Sequence, residues 1–384
     1  MPLNDPKSEG NMNEKEIAEL RRRLRPEKNN ITHLRGCYVN EKRELVSQFD
    51  QPLSVLPQEE AEELLELLRR TFTGTLGKQL LDIPFTTQQV VDSPEHRLLM
   101  GLRQGEEDAV QLFFQTVAQN LAIEGTYLIL LAWDTYDVPY RARDGHALED
   151  ASEEVFSYLL CAVCPLKEQR PALRYLPAEQ SFRNLRMDGL VAAPAIGFLF
   201  PAFDDRTANL YGVLYHARDP QQPHPELVEK LFGQQPPMPA PQQQEVFQEI
   251  LESSLADSCN YGVVQTIHEQ LRSLMEEHKA SKREDPLTIS RQAVQGVLEQ
   301  CGVPEPCLES FQQQCDQRFG EDAALIPGNL VDAKRFEVRT PDVVIRVNPD
   351  CSGLVETRVI DGCRYILIRA NEQVEVNGVN IHID

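Results

Sequence analysis

Gly233-Gln234-Gln235-Pro236-Pro237-Met238-Pro239-Ala240-Pro241-Gln242-Gln243-Gln244 divides this chain. Four of its twelve residues are proline and five are glutamine, so it lacks both the donors for a strand ladder and the apolar residues for a core. It reads as a linker, and the patterns on its two sides differ.

Upstream, residues 225–232 suit a short closing helix. Before them, residues 127–133, 155–163, 195–200 and 209–216 have strand length and composition. Helices fit residues 57–72, 93–103 and 106–121, the first with Ala61, Leu64, Leu65 and Leu68 on one face. Strands at 32–39 and 44–49 join at Asn40-Glu41-Lys42-Arg43 as a hairpin. Asn13 caps a helix over 13–25 that Pro26 stops.

Downstream, helices fit residues 245–258, 261–278, 290–301 and 305–319. The period then changes to two, over 335–339, 343–347, 354–360, 364–370 and 374–383. Asp361-Gly362 and Asn377-Gly378 supply the positive φ that tight hairpins need. The expected fold class is α+β and multi-domain. Its parts are a disordered tail over 1–12, a mixed α/β domain over 13–232, the linker over 233–244, an acidic helical region over 245–320, and a small antiparallel β-meander over 321–384. Residues 1–11 are polar, and Met12 stands just before the first periodic helix.

At 384 residues the chain exceeds one ordinary core, and its 41% apolar content suffices for two or three. No apolar run reaches membrane-spanning length. Nine cysteines, odd in number and scattered, read as reduced thiols in a cytoplasm. The net charge of -22 repels nucleic acid on average, yet the acid is uneven. Residues 219–330 hold eighteen acidic and seven basic residues, while 167–186 hold five basic and two acidic.

The motifs for chemistry are incomplete. Cys161-Ala162-Val163-Cys164 has a zinc-ligand spacing, but no second pair stands near it. Strand positions three apart also face opposite sides, so two small core residues is the better reading. Gly74-Thr75-Leu76-Gly77-Lys78 lacks the spacing and the hydroxyl of a phosphate loop and reads as a helix ending. HExxH and GxSxG are absent. His33 with Asn29, Asn30 and Thr32 fits a helix-to-strand turn better than a ligand site. Asp134, Asp137, Asp144, Glu149 and Asp150 can gather around a cation, or be a solvated loop.

Two basic segments stand out. Arg21, Arg22, Arg23, Arg25 and Lys28 can engage phosphates or pair with carboxylates of this chain or of a second subunit. Lys167, Arg170, Arg174, Arg183 and Arg186, interleaved with Tyr175 and Phe182, have the composition of a nucleic-acid or partner groove.

The arginine-rich helix ending Pro26-Glu27-Lys28-Asn29-Asn30-Ile31, and Gly36-Cys37-Tyr38-Val39, resemble the opening of a bacterial family catalogued as domain of unknown function 4317. Cys164-Pro165-Leu166-Lys167 and Val355-Glu356-Thr357-Arg358-Val359-Ile360-Asp361-Gly362 are similar to it too. That resemblance covers nearly the whole chain after Met12 and implies no activity. The layout also resembles the nucleoid-associated 37-kilodalton protein family, through Tyr211 to His216 running into Leu227-Val228-Glu229-Lys230-Leu231-Phe232-Gly233 and through Phe336 to Val347. It implies a role beside DNA or topoisomerases without catalysis.

The expectation is therefore a non-enzymatic protein of the cytoplasm or nucleoid that needs no cofactor or metal and acts through a protein partner. Nucleic-acid contact through the basic patches and homo-oligomer formation stay open, and no membrane is involved. The alternatives are a metal-assisted hydrolase built from scattered acids and a structural adaptor that uses the C-terminal β-module.

Overall fold

A computed structural model describes residues 12–141, 147–167, 172–185, 189–281, 286–321, 323–370 and 374–382. The chain divides between Pro239 and Ala240 into two compact units.

In the first unit, helix α1 (Glu14–Arg23) starts at a reciprocal cap. The Asn13 side chain accepts from the Lys15 and Glu16 backbones, and Glu16 accepts from Asn13 N–H at 2.8 Å. Strands β1 (His33–Val39) and β2 (Leu45–Pro52) form the expected hairpin, followed by α2 (Gln58–Arg70). Then come β3 (Leu80–Pro84), α3 (Thr87–Asp92), α4 (Pro94–Gln104) and α5 (Glu107–Asn120). The long strands β4 (Tyr127–Arg141) and β5 (Ala147–Lys167) pair with each other. Strands β6 (Ala172–Leu176), β7 (Ser181–Leu185), β8 (Leu190–Val191) and β9 (Ile196–Phe200) follow, then β10 (Ala202–Asp204), β11 (Thr207–Asn209), β12 (Gly212–Ala217) and α6 (Pro225–Phe232).

One sheet organises this unit, in the order β2-β1-β4-β5-β9-β12-β3 with β8 also on β5, every pair antiparallel. Both faces are covered. Ile129, Leu131, Cys161, Val163 and Phe198 pack with Leu99, Leu102, Phe113, Val117 and Phe232 of α4, α5 and α6. Leu130, Ala132, Leu160, Ala162 and Leu199 pack with Ile17, Leu20, Leu65 and Leu68 of α1 and α2. Double cover explains why residues 127–133 run apolar without alternation. Cys161 lies in one layer and Cys164 in the other, as their spacing predicts.

The second unit opens with α7 (Ala240–Leu255), α8 (Tyr261–Ser281), α9 (Arg291–Gln300), α10 (Glu305–Phe319) and the short α11 (Pro327–Leu330). Ile250, Leu271, Leu298, Phe311 and Leu330 are among its buried residues. Three hairpins end it: β13 (Phe336–Arg339) with β14 (Val344–Val347), β15 (Val355–Ile360) with β16 (Cys363–Ile368), and β17 (Val374–Val376) with β18 (Val379–Ile381). Their root is fixed to α8. Phe336 meets the Tyr261 and His268 rings edge-on at 5.9 and 5.2 Å, and Tyr261 donates to Ser352 O at 2.9 Å.

The α+β class holds, and several elements differ in extent. β4 runs eight residues past Trp133 because Asp134, Tyr136 and Val138 stay buried while Thr135 and Asp137 turn to solvent, a half-covered alternation. β3 follows the turn at Gly74–Lys78 and completes the far edge of the sheet; a five-residue strand carrying Asp82 gives little periodic signal. Helix α7 begins inside the proline-rich segment, since Pro241 in a first turn costs no intrahelical hydrogen bond. The C-terminal strands form separate two-stranded hairpins, and the boundary expected near residue 320 falls inside the second unit.

Gly197 shows how closely α2 lies on the sheet. A Cβ there would meet Cys161 O at 2.5 Å and Thr71 Cγ2 at 2.7 Å, and the first of these is backbone. Gly197→Ala is expected to lower stability by about 2–3 kcal/mol, read as a lower denaturant midpoint. An unchanged midpoint would mean that β5 and the end of α2 leave more room at β9 than this packing shows.

Candidate functional site

Asp134 gathers the first basic segment. Its Oδ1 accepts from Asn30 N at 2.7 Å, Thr135 N at 2.9 Å and Arg23 Nη2 at 3.2 Å, and its Oδ2 accepts from Tyr158 OH at 2.7 Å. Arg23 also donates to Thr135 O at 3.1 Å and lies 4.8 Å over the Tyr136 ring. Arg21 donates to Phe72 O, and Arg22 returns to Ala18 O at 3.0 Å. Arg22, Arg25 and Lys28 are exposed. Two of the five cations are therefore turned inward, tying the end of α1 to β4 and to the end of α2. The polar cluster at 29–33 is a turn: Asn29 accepts from Ile31 N at 3.0 Å, and His33 pairs with Asp50 at 2.9 Å across the hairpin.

The same carboxylate bears on the hydrolase reading. Asp134 is buried and fully engaged, while Asp137 leaves the strand on the opposite, solvent side. Asp144 lies outside the described residues, as do the side chains of Glu149 and Asp150. Among the described residues no group of three His, Cys, Asp or Glu side chains is set to hold a metal ion.

Four ionisable groups to which the sequence reading assigned no role stand out: Asp82, Glu16, Asp204 and His216. Burial pushes the half-buried Asp82 carboxyl up to about 7, helped by the Asp204 and Glu16 carboxylates and opposed by a hydrogen bond from the Met12 backbone. Burial also raises Glu16 and Asp204. On β12, burial pulls the His216 imidazole down to about 4, with Arg218 adding to the effect. The Cys161 and Cys164 thiols are pushed up by burial, Cys164 to about 12, so neither is a ready nucleophile.

The second basic segment is a hairpin inserted where β5 and β8 pair, Lys167 opposite Leu190. β6 and β7 pair with Tyr175 opposite Phe182 and Arg174 opposite Arg183. The Tyr175 and Phe182 rings lie 5.1 Å apart, and Arg183 pairs with Glu179 at 2.7 Å. Leu173, Tyr175 and Phe182 are exposed, as is Lys167. Arg170 and Arg186 lie outside the described residues, as does the side chain of Arg174.

Two grooves flank α2. One, of about 680 Å³, lies toward the end of α1 among Arg25, Glu27, Glu59, Glu62 and Arg69. The other, of about 650 Å³, has Leu56, Leu64, Leu67, Leu190 and Val191 among its apolar lining and Glu60, Glu63, Glu66 and Arg70 among its charged lining, with Glu66 paired to Arg70. The alternation of leucine and glutamate along α2 was legible as amphipathicity, but the groove depends on β8, more than a hundred residues away.

A family model described as "Domain of unknown function (DUF4317)" matches residues 12–379, and the chain belongs to that family. No curated protein matches the chain. Among the described residues no helix is long and apolar enough to cross a membrane.

Asp134→Ala strands Arg23 and the Tyr158 hydroxyl in the interior. It is expected to cost about 3–5 kcal/mol, whereas Arg25→Ala should stay within about 0.5 kcal/mol; urea unfolding of both variants checks the contrast. Two opposing pH slopes are also expected. His216 takes up a proton on unfolding, so its contribution is present above about pH 6.5 and lost as pH falls toward 4. Asp82 releases one on unfolding, so its contribution is present near pH 4 and lost as pH rises through 7. Asp82→Asn should therefore lose stability on acidification from pH 7 to 4 more steeply than the wild type, and His216→Gln less steeply. Parallel stability curves for all three proteins would remove both assignments.

Proposed function

We propose that this chain is a non-enzymatic interaction protein that takes up a partner protein by strand addition at its C-terminal hairpins. One observation carries the reading. From Thr357 onward none of the described residues is buried, although the segment is rich in β-branched residues. Val359 is 70% exposed and Ile368 59% exposed, with Ile360, Tyr365, Val376, Val379 and Ile381 exposed beside them. Each hairpin has two strands and so two edges with unpaired backbone groups. A lone hairpin is marginal in water, and a third strand would satisfy an edge and cover apolar side chains together.

Association with the nucleoid, implied by the layout, fits this reading as a protein-mediated contact. Arg21 and Arg23 are committed within the fold, which leaves Arg22, Arg25 and Lys28 of that patch for phosphate. A cytoplasmic or nucleoid location belongs to the same proposal.

The test is a side-by-side purification of tagged wild type and a Val359→Lys/Ile368→Lys/Val379→Lys variant from the native cells after light crosslinking, with and without nuclease. All three positions are exposed, so the variant should match the wild-type melting temperature closely. A protein that survives nuclease with the wild type and is lost with the variant is the expected result. Equal recovery by both, or recovery of nothing above control, rejects strand addition. DNA recovered by both and removed by nuclease would favour direct nucleic-acid contact instead.

A further inference from the structure

We propose that two copies of this chain join edge to edge through β2, antiparallel across a two-fold axis at Gln48, so that their main sheets become one. Among the described residues β2 pairs with β1 alone and ends the sheet. Its residues 46–50 are all exposed, whereas β3, at the far edge, is five residues long and mostly buried. Between Leu45 and Gln51 there is no lysine or proline to blunt the edge, so it is of the kind that proteins ordinarily cover. The pairing with β1 decides which backbone groups are left over. Leu53 N donates to Thr32 O at 2.9 Å, and the same register sets Gln51 opposite Leu34, Phe49 opposite Gly36 and Ser47 opposite Tyr38. Bonded pairs alternate in an antiparallel ladder, so these residues bond to β1, while the N–H and C=O groups of Val46, Gln48 and Asp50 point away from it.

The edge itself specifies its occupant. Its run of outward groups is closed at both ends, since Glu44 O already accepts from Asn40 N at 3.1 Å and Pro52 has no N–H. Of the antiparallel registers, the one centred on Gln48 uses every group in that run. It sets Gln48 opposite its own copy, and Val46 opposite Asp50 once on each side of the axis. A second copy supplies a strand of this length and parity, and a strand paired antiparallel with itself is a closed two-fold contact. The register also keeps Asp50, the only charge between Leu45 and Gln51, away from its copy. Helix α5 extends the contact. It runs along the edge, with Glu107 on Arg35 at 2.6 Å, Gln111 on Gln48 at 2.7 Å and Gln119 O accepting from Arg43 at 3.4 Å. Leu112, 53% exposed, follows Gln111 and so lies beside the axis, and Val46, 55% exposed, shares the face of Gln48. With strands about 4.8 Å apart and α5 over the β1–β2 pair, the two α5 helices come to lie about 10 Å apart, an ordinary packing distance. This inference is independent of the C-terminal reading.

The test is the mass of the full chain in solution by light scattering and sedimentation, from about 5 to 100 µM protein in reductant and in low and high salt. The wild type should sediment at twice 43.6 kDa in both salts, because backbone and apolar contacts are not screened. Val46→Lys/Leu112→Lys sets like charges beside the axis and should weaken the dimer at least about tenfold. Both side chains are exposed, so its melting temperature should match the wild type. Single cysteines then read the register, in a Cys351→Ser/Cys363→Ser background that removes the two exposed thiols. Gln48→Cys should form an intermolecular disulfide on mild oxidation, and Asp50→Cys should not, its two copies being about 14 Å apart. A wild type that is monomeric at the highest concentration overturns the proposal. So does a dimer that Val46→Lys/Leu112→Lys leaves at full strength, or crosslinking at Asp50→Cys without crosslinking at Gln48→Cys. A dimer lost in the Val359→Lys/Ile368→Lys/Val379→Lys variant and kept in Val46→Lys/Leu112→Lys overturns it as well, placing the contact at the C-terminal hairpins.

Discussion

A sheet covered on both faces leaves the side chains of its central strands indoors, and the rest of the first unit follows from that constraint. β4 and β5 are apolar in both registers because α4, α5 and α6 press on one side and α1 and α2 on the other. Any polar group on these strands must then be satisfied by the fold. Asp134 meets that demand with Arg23, Asn30 and Tyr158, which is why an arginine at the end of α1 is drawn to a strand 111 residues away. His216 meets it less completely: it stays neutral, and its Nδ1 finds no partner among the described residues. Gly197 is the steric form of the same constraint, since the Cys161 carbonyl on β5 and the Thr71 side chain at the end of α2 leave no room for a side chain on β9.

The surfaces with something left to bind are those that escape double cover. β6–β7 stands outside the main sheet, and among the described residues the β15–β16 and β17–β18 hairpins have no third strand. Both keep large apolar residues in water, a state that association relieves more readily than catalysis exploits. Cys161, Cys164 and His216 are sealed in the core, and among the described residues the carboxylates that rise together at Asp82, Glu16 and Asp204 do not form a metal cage.

Elements with a complete local signal were legible in the sequence. α2, α4 and α5 carry helical periodicity and the β1–β2 hairpin has its turn; Asp361-Gly362 and Asn377-Gly378 hold the positive φ values their hairpins need. What could not be read depended on distant residues. The five cations from Arg21 to Lys28 look alike in a list, and only the fold separates Arg23, under Asp134 and over Tyr136, from the exposed Arg25. A usable hint was present: Asp134 directly follows the apolar run 127–133, and an acid at the end of a doubly covered strand calls for a cation. The groove beside α2 had no such hint, because Leu190 and Val191 reach it only through the pairing of β8 with β5.

The charge of the chain finally limits what its surfaces can meet. At -22 the protein repels polyanions and most acidic proteins, so a basic segment has its strongest attraction to an acidic protein surface nearby. The inner arginines already answer that attraction within the chain, at Asp134 and at Glu19, which Arg206 holds at 2.9 Å. DNA would have to overcome the field of the whole molecule first.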